Sequence, residues 1–333
     1  MDAPGIDALL RQAGLHPDTR PETQRWKYWQ ERADWPGSRS FLLTDDGEPV
    51  AHGAIVPGEL AWRTGRARIV HLVDWAANPR VSGVGVVLMK RIAQLADGLL
   101  AVGVSALGRQ ILPHVGFKSV GAATGYVRTI RPGRILGSGS YSSRTLARFA
   151  RSVVWTARAP ARERDTFRVR RITSDTLRDL LAVLPTPVGD LAVFRRSEES
   201  LRYALACPLV PTEIHALERS GRVLGYFVLT LAGRQARLVD CWMDTAEPAD
   251  WCSLFLCAVQ RAGQYPQVAE LATWASDPLL LGCLSQSGFH PRITQAVLLM
   301  MRPGLPPPPA TLRVQMLDSD AAYLYRPGEG LWA

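Results

Sequence analysis

The chain has 333 residues, 47% of them hydrophobic, which is enough for a buried core and a length suited to about two domains. Its formal net charge of +9 suits an anionic partner, whether a phosphorylated cofactor, a nucleic acid or an anionic membrane surface, and does not choose among them. No run approaches the roughly 18 apolar residues of a membrane helix, no N-terminal stretch resembles a signal peptide, and the five cysteines, with no Cys-x-x-Cys pair, read as reduced and mostly buried; a cytoplasmic protein is expected.

In chain order, residues 6–14 read as a short helix, and Trp26, Tyr28, Trp29, Trp35 and Trp62 as core aromatics, with a surface that stacks on sugars or bases as the alternative. A hairpin over 40–56, a strand over 67–75, a helix over 83–96, a strand over 99–105, a helical turn over 107–114 and a strand over 126–130 follow. Between the second strand and the long helix stands Asn78-Pro79-Arg80-Val81-Ser82-Gly83-Val84-Gly85. A strand, a glycine-rich turn and a helix N-terminus make an anion cradle: the glycines allow close backbone approach, and the first-turn N–H groups have no intrahelical partner. Arg80 adds a fixed charge at its mouth.

Residues 134–165 begin Gly/Ser-rich, become a basic amphipathic helix (Leu146, Phe149, Val153 and Val154 against Arg144, Arg148 and Arg151) and end in Ala, Pro and Arg. The plain reading is a linker helix; the sharper one is peripheral contact of 144–158 with an anionic membrane. A strand is expected over 167–172, then a helix over 174–184 with Ser174 as its N-cap and Pro185 and Pro187 as its stop.

From here the chain repeats itself. Gly53 and Gly225, in similar strand-turn-strand phrases, are 172 positions apart, and so are Gly116 and Gly288 in Val115-Gly116-Phe117 and Ser287-Gly288-Phe289. Asp74-Trp75 is echoed by Asp240-Cys241-Trp242. One offset with matching order argues for a duplicated domain. Boundaries of 1–133, 134–165 (linker), 166–303 and 304–333 follow, the last being a proline spacer and a strand-like run at 311–317 that packs back on one domain. Asp318-Ser319-Asp320 reads as a solvated turn, or as a group for a cation or a sugar hydroxyl.

The order of elements, Arg80-x-x-Gly83-x-Gly85 and the Gly116-Phe117 phrase resemble the GNAT acyltransferase superfamily, in tandem over nearly the whole chain. Trp26-Lys27-Tyr28-Trp29 with Pro36-Gly37 is similar to uncharacterised tandem GNATs of bacterial polysaccharide clusters. The resemblance implies an α/β (α+β) fold of two GNAT-like domains, each a mixed, mostly antiparallel twisted sheet flanked by helices. It implies acetyl-CoA or another acyl-CoA, its pyrophosphate on the amides of Val81, Ser82, Gly83, Val84 and Gly85 beside Arg80, and its pantetheine arm along Trp75, Ala76 and Ala77. Copy two departs: no glycine occurs between Asp240 and Gly263, and Asp244, Glu247 and Asp250 would repel a pyrophosphate. The cofactor is therefore expected in copy one alone.

For proton transfer, His71 stands where some GNATs place a catalytic histidine, and a core histidine is the alternative. Asp74 is the second candidate, although Asp240 at the matching place in copy two favours a structural role for both. The family's usual tyrosine acid falls on Leu112 here; His114 is the nearby substitute, and Tyr126 another. The reading is acyl transfer to a small-molecule amine or sugar acceptor, with no metal and no DNA partner. A non-catalytic pseudo-acyltransferase scaffold or sensor and a tRNA-dependent aminoacyl transferase are the alternatives, the intact loop speaking against the last. Acceptor, acyl length and oligomeric state stay open.

Overall fold

A computed structural model describes residues 3–136, 143–160, 167–305, 308, 310–323 and 331. Helix α1 (Ala3–Gln12) is followed by α2 (Pro21–Gln24), which widens into a five-residue π-turn, Arg25–Trp29. Then come β1 (Ser40–Asp45), β2 (Glu48–Trp62), β3 (Gly65–Ala77), α3 (Val84–Ile92), β4 (Gly98–Val102), α4 (Ala106–Ile111) and β5 (Lys118–Thr129). Helix α5 (Ser143–Arg158) leads to β6 (Arg168–Ile172), β7 (Leu191–Phe194) and α6 (Glu198–Leu205). The second copy, opened by β6, continues through β8 (Thr212–Arg219), β9 (Arg222–Ala232), β10 (Gln235–Met243), α7 (Pro248–Ala262), β11 (Glu270–Ala275), α8 (Pro278–Gln286) and β12 (His290–Met301), and β13 (Thr311–Arg313) follows.

The repeat is visible in its punctuation. The short helix of each copy starts on a side-chain cap, Ser105 accepting from the Gly108 amide and Asp277 from the Leu280 amide. Each then ends at a left-handed glycine, Gly116 at φ 106° and Gly288 at φ 75°. The strands between these signals carry the core: β10 is buried along its whole length, as both faces of its sheet are covered.

One continuous sheet runs β13-β7-β2-β3-β4-β12-β5-β11-β10-β9-β8-β6, with β1 on β2. The final strands are exchanged between copies: β12 lies antiparallel on β4 of copy one, β5 lies antiparallel on β11 of copy two, and the two pair with each other. Copy two also lends copy one an edge, with β7 pairing β2 at Leu60 and Ala61. β13 pairs parallel with β7, and the chain then turns inward through Met316–Asp318.

Two sequence readings are corrected. Residues 174–184 form no α-helix but a 3-10 helix, Leu177–Val183, because the buried Leu177, Leu180 and Val183 recur every three residues, the 3-10 period. Its entry turn is closed by Thr176, whose hydroxyl accepts the Thr173 amide, and not by Ser174. Nor is 318–320 a solvated turn, since Asp318 and Ser319 are buried.

Candidate functional site

β3 and β4 run parallel and pair only at Ile69–Gly98, Val70–Leu99 and His71–Leu100; beyond His71 they diverge. The wedge they leave is part of a cavity of about 250 Å³ walled by His71, Asp74, Trp75, Val102, Gly103 and Leu112. Trp75 reaches from this wall to the glycine loop, its indole N–H donating to the Gly85 carbonyl at 3.0 Å. Gly83 caps α3 at φ 79°, a left-handed conformation that favours glycine, and a Cβ there would meet nothing within 4 Å. That open space beside the first-turn amides of α3 is where an anion fits. Arg80 and Ser82 are exposed around it. Gly85 is tight instead, its missing Cβ lying 3.0 Å from that of Ala77.

At the inner end of the wedge, β3 bulges. Ala54 pairs with Val73 and His52 with Ala76, so Gly53 alone faces Asp74 and Trp75. Asp74 takes φ 47°. The buried His52 holds the bulge, its Nδ1 3.2 Å from the Asp74 carbonyl and its Nε2 3.0 Å from the Ser40 hydroxyl. The Asp74 carboxylate accepts from the Tyr28 hydroxyl at 2.7 Å and meets Lys27 Nζ at 2.5 Å; Asp320 lies 3.4 Å from the same ammonium. Burial pushes Asp74 up, but Lys27 and Tyr28 outweigh it and hold the carboxyl below its ordinary value. Burial alone would lower the Lys27 ammonium, yet Asp74 and Asp320 hold it above its usual range. Burial and the Asp74 charge raise the Tyr28 phenol, so it keeps its proton at neutral pH.

The π-turn aims Lys27 and Tyr28 into the wedge, and it is held from copy two. Trp26 stacks on Tyr203 at 4.5 Å, the Tyr203 hydroxyl donates to the Trp26 carbonyl, and the Arg39 guanidinium donates to the carbonyls of Trp26, Lys27 and Gln30. An irregular turn with its carbonyls tied down by a buried arginine is a fixed feature of the site.

His71 is 4% exposed and lines both this cavity and a second, of about 350 Å³, on its other side. Its Nε2 receives the Val102 amide at 3.4 Å, so the proton is assigned to Nδ1, 3.2 Å from the Asp318 carbonyl. Burial lowers its pKa, leaving a neutral ring with its lone pair on Nε2. Thus His71, Asp74 and Trp75 share the wedge. Ala76 and Ala77 continue β3 beyond it, and the glycine loop that follows is tied to the wall by the bond from the Trp75 indole to the Gly85 carbonyl. His114 is exposed in the turn after α4 and is not part of the wall, whereas the buried Leu112 is.

The matching slot of copy two is filled by the protein itself. β10 and β11 pair at Gln235–Glu270 through Leu238–Thr273 and then part. The Gln315 side chain enters there, accepting the Cys241 amide at 2.9 Å and donating to the Cys241 carbonyl at 3.1 Å and to Asp240 at 2.9 Å. From the β11 side, Ser276 donates to the Leu312 carbonyl and accepts the Val314 amide, and Asp277 pairs with Arg313 at 2.9 Å. Beneath this plug Arg196 joins Asp240 at 2.8 Å and Asp318 at 2.7 Å. Burial outweighs Arg196 at Asp318 and, helped by Asp240, pushes it up to about 6.

No family model and no curated protein matches the sequence. Solved structures do match. A conserved protein of unknown function from Enterococcus faecalis V583, described as a probable N-acyltransferase, superposes with a TM-score of 0.58 at 14% identity, over 90% of this chain and 70% of that one. A GCN5-related N-acetyltransferase from Anabaena variabilis gives 0.55 at 11%, over 90% and 70%. Saccharomyces cerevisiae N-myristoyltransferase with bound myristoyl-CoA gives 0.58 at 12%, over 89% and 77%.

The chain has the tandem GNAT fold.

Within this GNAT pair the sequence reading located the loop and β3 but missed Lys27, Tyr28, Asp320 and Gln315 as parts of the two slots. Lys27 had one signal, a lone cation inside an aromatic run read as core. Gln315 had none, because a polar residue in a strand-like stretch does not declare which backbone it will pair.

Proposed function

We propose that the protein is an acyl-CoA-dependent acyltransferase that delivers a short acyl group, acetyl foremost, to the amine of a small molecule or amino sugar, with its cofactor in copy one alone. One observation carries this reading: the two slots differ. Copy one has an open wedge whose wall residue Trp75 is bonded to the glycine loop at Gly85, whereas copy two has Gln315 across the amide and carbonyl of Cys241.

Residues 81–85 would hold the pyrophosphate, with Arg80 beside it, and the backbone of Trp75–Ala77 the pantetheine arm. Acyl-CoA supplies the activated thioester there. The β3 bulge removes Asp74 and Trp75 from regular pairing with β2, and an acyl oxygen is received at that step. The wedge ends in Lys27, Asp74 and Asp320. Burying a long alkyl chain against these charges would strip them of water, which favours a short acyl group. His71 is the candidate base: its Nδ1–H is fixed on the Asp318 carbonyl, and Nε2 takes a proton on giving up its long 3.4 Å bond from the Val102 amide. Tyr28, still protonated, is the candidate donor in place of the tyrosine replaced by Leu112. Asp74 orients Lys27 and Tyr28, and the exposure of His114 outside the wall leaves it no role here.

Titration calorimetry of the full chain with acetyl-CoA should give micromolar affinity and about one site per chain. Gly83→Asp, which places a carboxylate beside the phosphate position, should weaken binding at least about tenfold. No binding, or two sites, sinks the proposal. A thiol-release assay over amine and amino-sugar acceptors follows, with His71→Ala expected to lose about 100-fold. Tight binding with no release from any acceptor would favour the pseudo-acyltransferase reading, for which Leu112 in the tyrosine's place is the supporting observation.

A further inference from the structure

Helix α5 packs inside out. Ser152 is fully buried, and Trp155 turns inward against Val127, Ile135 and Ala269. The opposite side carries Leu146, Ala150, Val153, Val154 and Ala157 at helical spacing, and every one of them is exposed, the three larger ones at 50%, 43% and 45%. This apolar stripe runs most of a 16-residue helix, about 24 Å.

Its electrostatic setting is mostly positive, the buried Glu270 being the acidic group felt at Arg292. Gly98 to Arg162 holds nine arginines and a lysine and no Asp or Glu, and Pro278 to Leu317, which includes β12, also lacks both. On the edge of the stripe, Arg151 and Arg292 stand over the Trp155 ring at 4.9 and 5.0 Å, and His290 stacks on it at 3.8 Å. Burial and then the neighbouring Arg151 and Arg148 lower Arg292, a sign of like charges crowded together. Arg158 is exposed at the end of the helix.

We propose that α5 docks this protein peripherally on an anionic lipid bilayer, with the Leu146–Val153–Val154 stripe in the headgroup boundary and the arginines beside it on lipid phosphates. Among the described residues no helix is long and apolar enough to span a membrane, so the contact is tangential. A protein partner is the poorer fit. Interface centres favour aromatic anchors and a rim of both signs; this stripe is small and aliphatic, its tryptophan faces inward, and the flanking charge is positive. The inference is independent of the acyl-transfer reading.

The test is co-sedimentation of the full chain with phosphatidylcholine vesicles, with and without about 30% phosphatidylglycerol. Binding should rise at least about tenfold with the anionic lipid and fall with salt. The double variant Val153→Asp/Val154→Asp, at exposed positions, should lose at least about tenfold of that binding while keeping its melting temperature and acetyl-CoA affinity. Arg158→Glu should weaken it several-fold. Equal binding to both vesicle types, no binding, or an unaffected double variant overturns the proposal. So does a chain that ignores vesicles but self-associates through the stripe, seen as a dimer in sedimentation velocity that the double variant dissolves.

Discussion

Asp74 shows how one residue gathers the charges of the wedge. Its left-handed backbone, at φ 47°, costs an L-residue about 1 kcal/mol, and the Lys27, Tyr28 and His52 contacts hold it there. Asn tolerates that conformation and can still accept from Tyr28, so Asp74→Asn removes mainly the charge. Among the described residues it leaves Asp320, at 3.4 Å, as the one carboxylate paired with the Lys27 ammonium. A buried charge that loses its close partner should cost about 2–4 kcal/mol at pH 7, read from chemical denaturation. The pH dependence has a fixed sign. Asp74 titrates below its ordinary value in the folded chain, so its contribution is present above about pH 4 and fades as pH falls further. Lys27 is held above its ordinary value, so its share is lost only above about pH 10. The gap between wild type and variant should therefore be flat from about pH 5 to 9 and close toward pH 3. A gap unchanged at pH 3 would place its origin elsewhere than the ion pair.

At the scale of elements, the two copies share one plan and differ in what fills the slot. Gln315 satisfies both backbone groups of Cys241 and one oxygen of Asp240, all buried. Gln315→Ala strips the Cys241 backbone groups of that partner, leaves the Asp240 oxygen to Arg196 and opens a cavity, so it should lower stability by about 2–4 kcal/mol in a urea melt. On the proposed reading acetyl-CoA still binds the variant at one site per chain, because copy two has no glycine loop and its helix α7 carries Asp250 paired to Arg219 in its first turn. A second site in the variant would mean that the plug alone excluded the cofactor. The duplication itself was readable, since Gly116 and Gly288 close the same turn one offset apart, as was the loop, since glycine spacing reports backbone needs directly. The slots were only half readable. Side-chain period says which face of β5 or β12 is buried and is the same whichever copy supplies the neighbour, so the strand exchange left no mark in the pattern. Lys27 and Gln315 belong to their sites through contacts 47 and 74 residues distant in the chain, which no local rule reaches.

Across the whole molecule the exchange makes each copy depend on the other. In copy one, β4 has β3 on one side and only β12 on the other, and its Leu99 and Leu100 are fully buried. β5, the last strand of copy one, lies between β12 and β11, both from copy two. The π-turn that carries Lys27 and Tyr28 leans on Tyr203, and His71 on the Asp318 carbonyl. A fragment of residues 1–133 would thus keep the glycine loop yet lose the neighbour of β4, both neighbours of β5 and the props of the wedge. An unpaired edge with buried apolar residues is an aggregation template, and the closure cost of the long-range pairs would have nothing to offset it. That fragment should be insoluble or non-cooperative when expressed alone, with no measurable acetyl-CoA binding. Co-expressed with residues 134–333, it should co-purify as a stable pair that recovers binding within about threefold of the intact chain, because the same pairs form and only tethering is lost. Size-exclusion chromatography, circular-dichroism melts and calorimetry read all three outcomes. A monomeric 1–133 fragment that melts cooperatively and binds acetyl-CoA would mean that β5 can close on β4 unaided, and that the exchange is an addition to a self-sufficient domain and no condition of its folding.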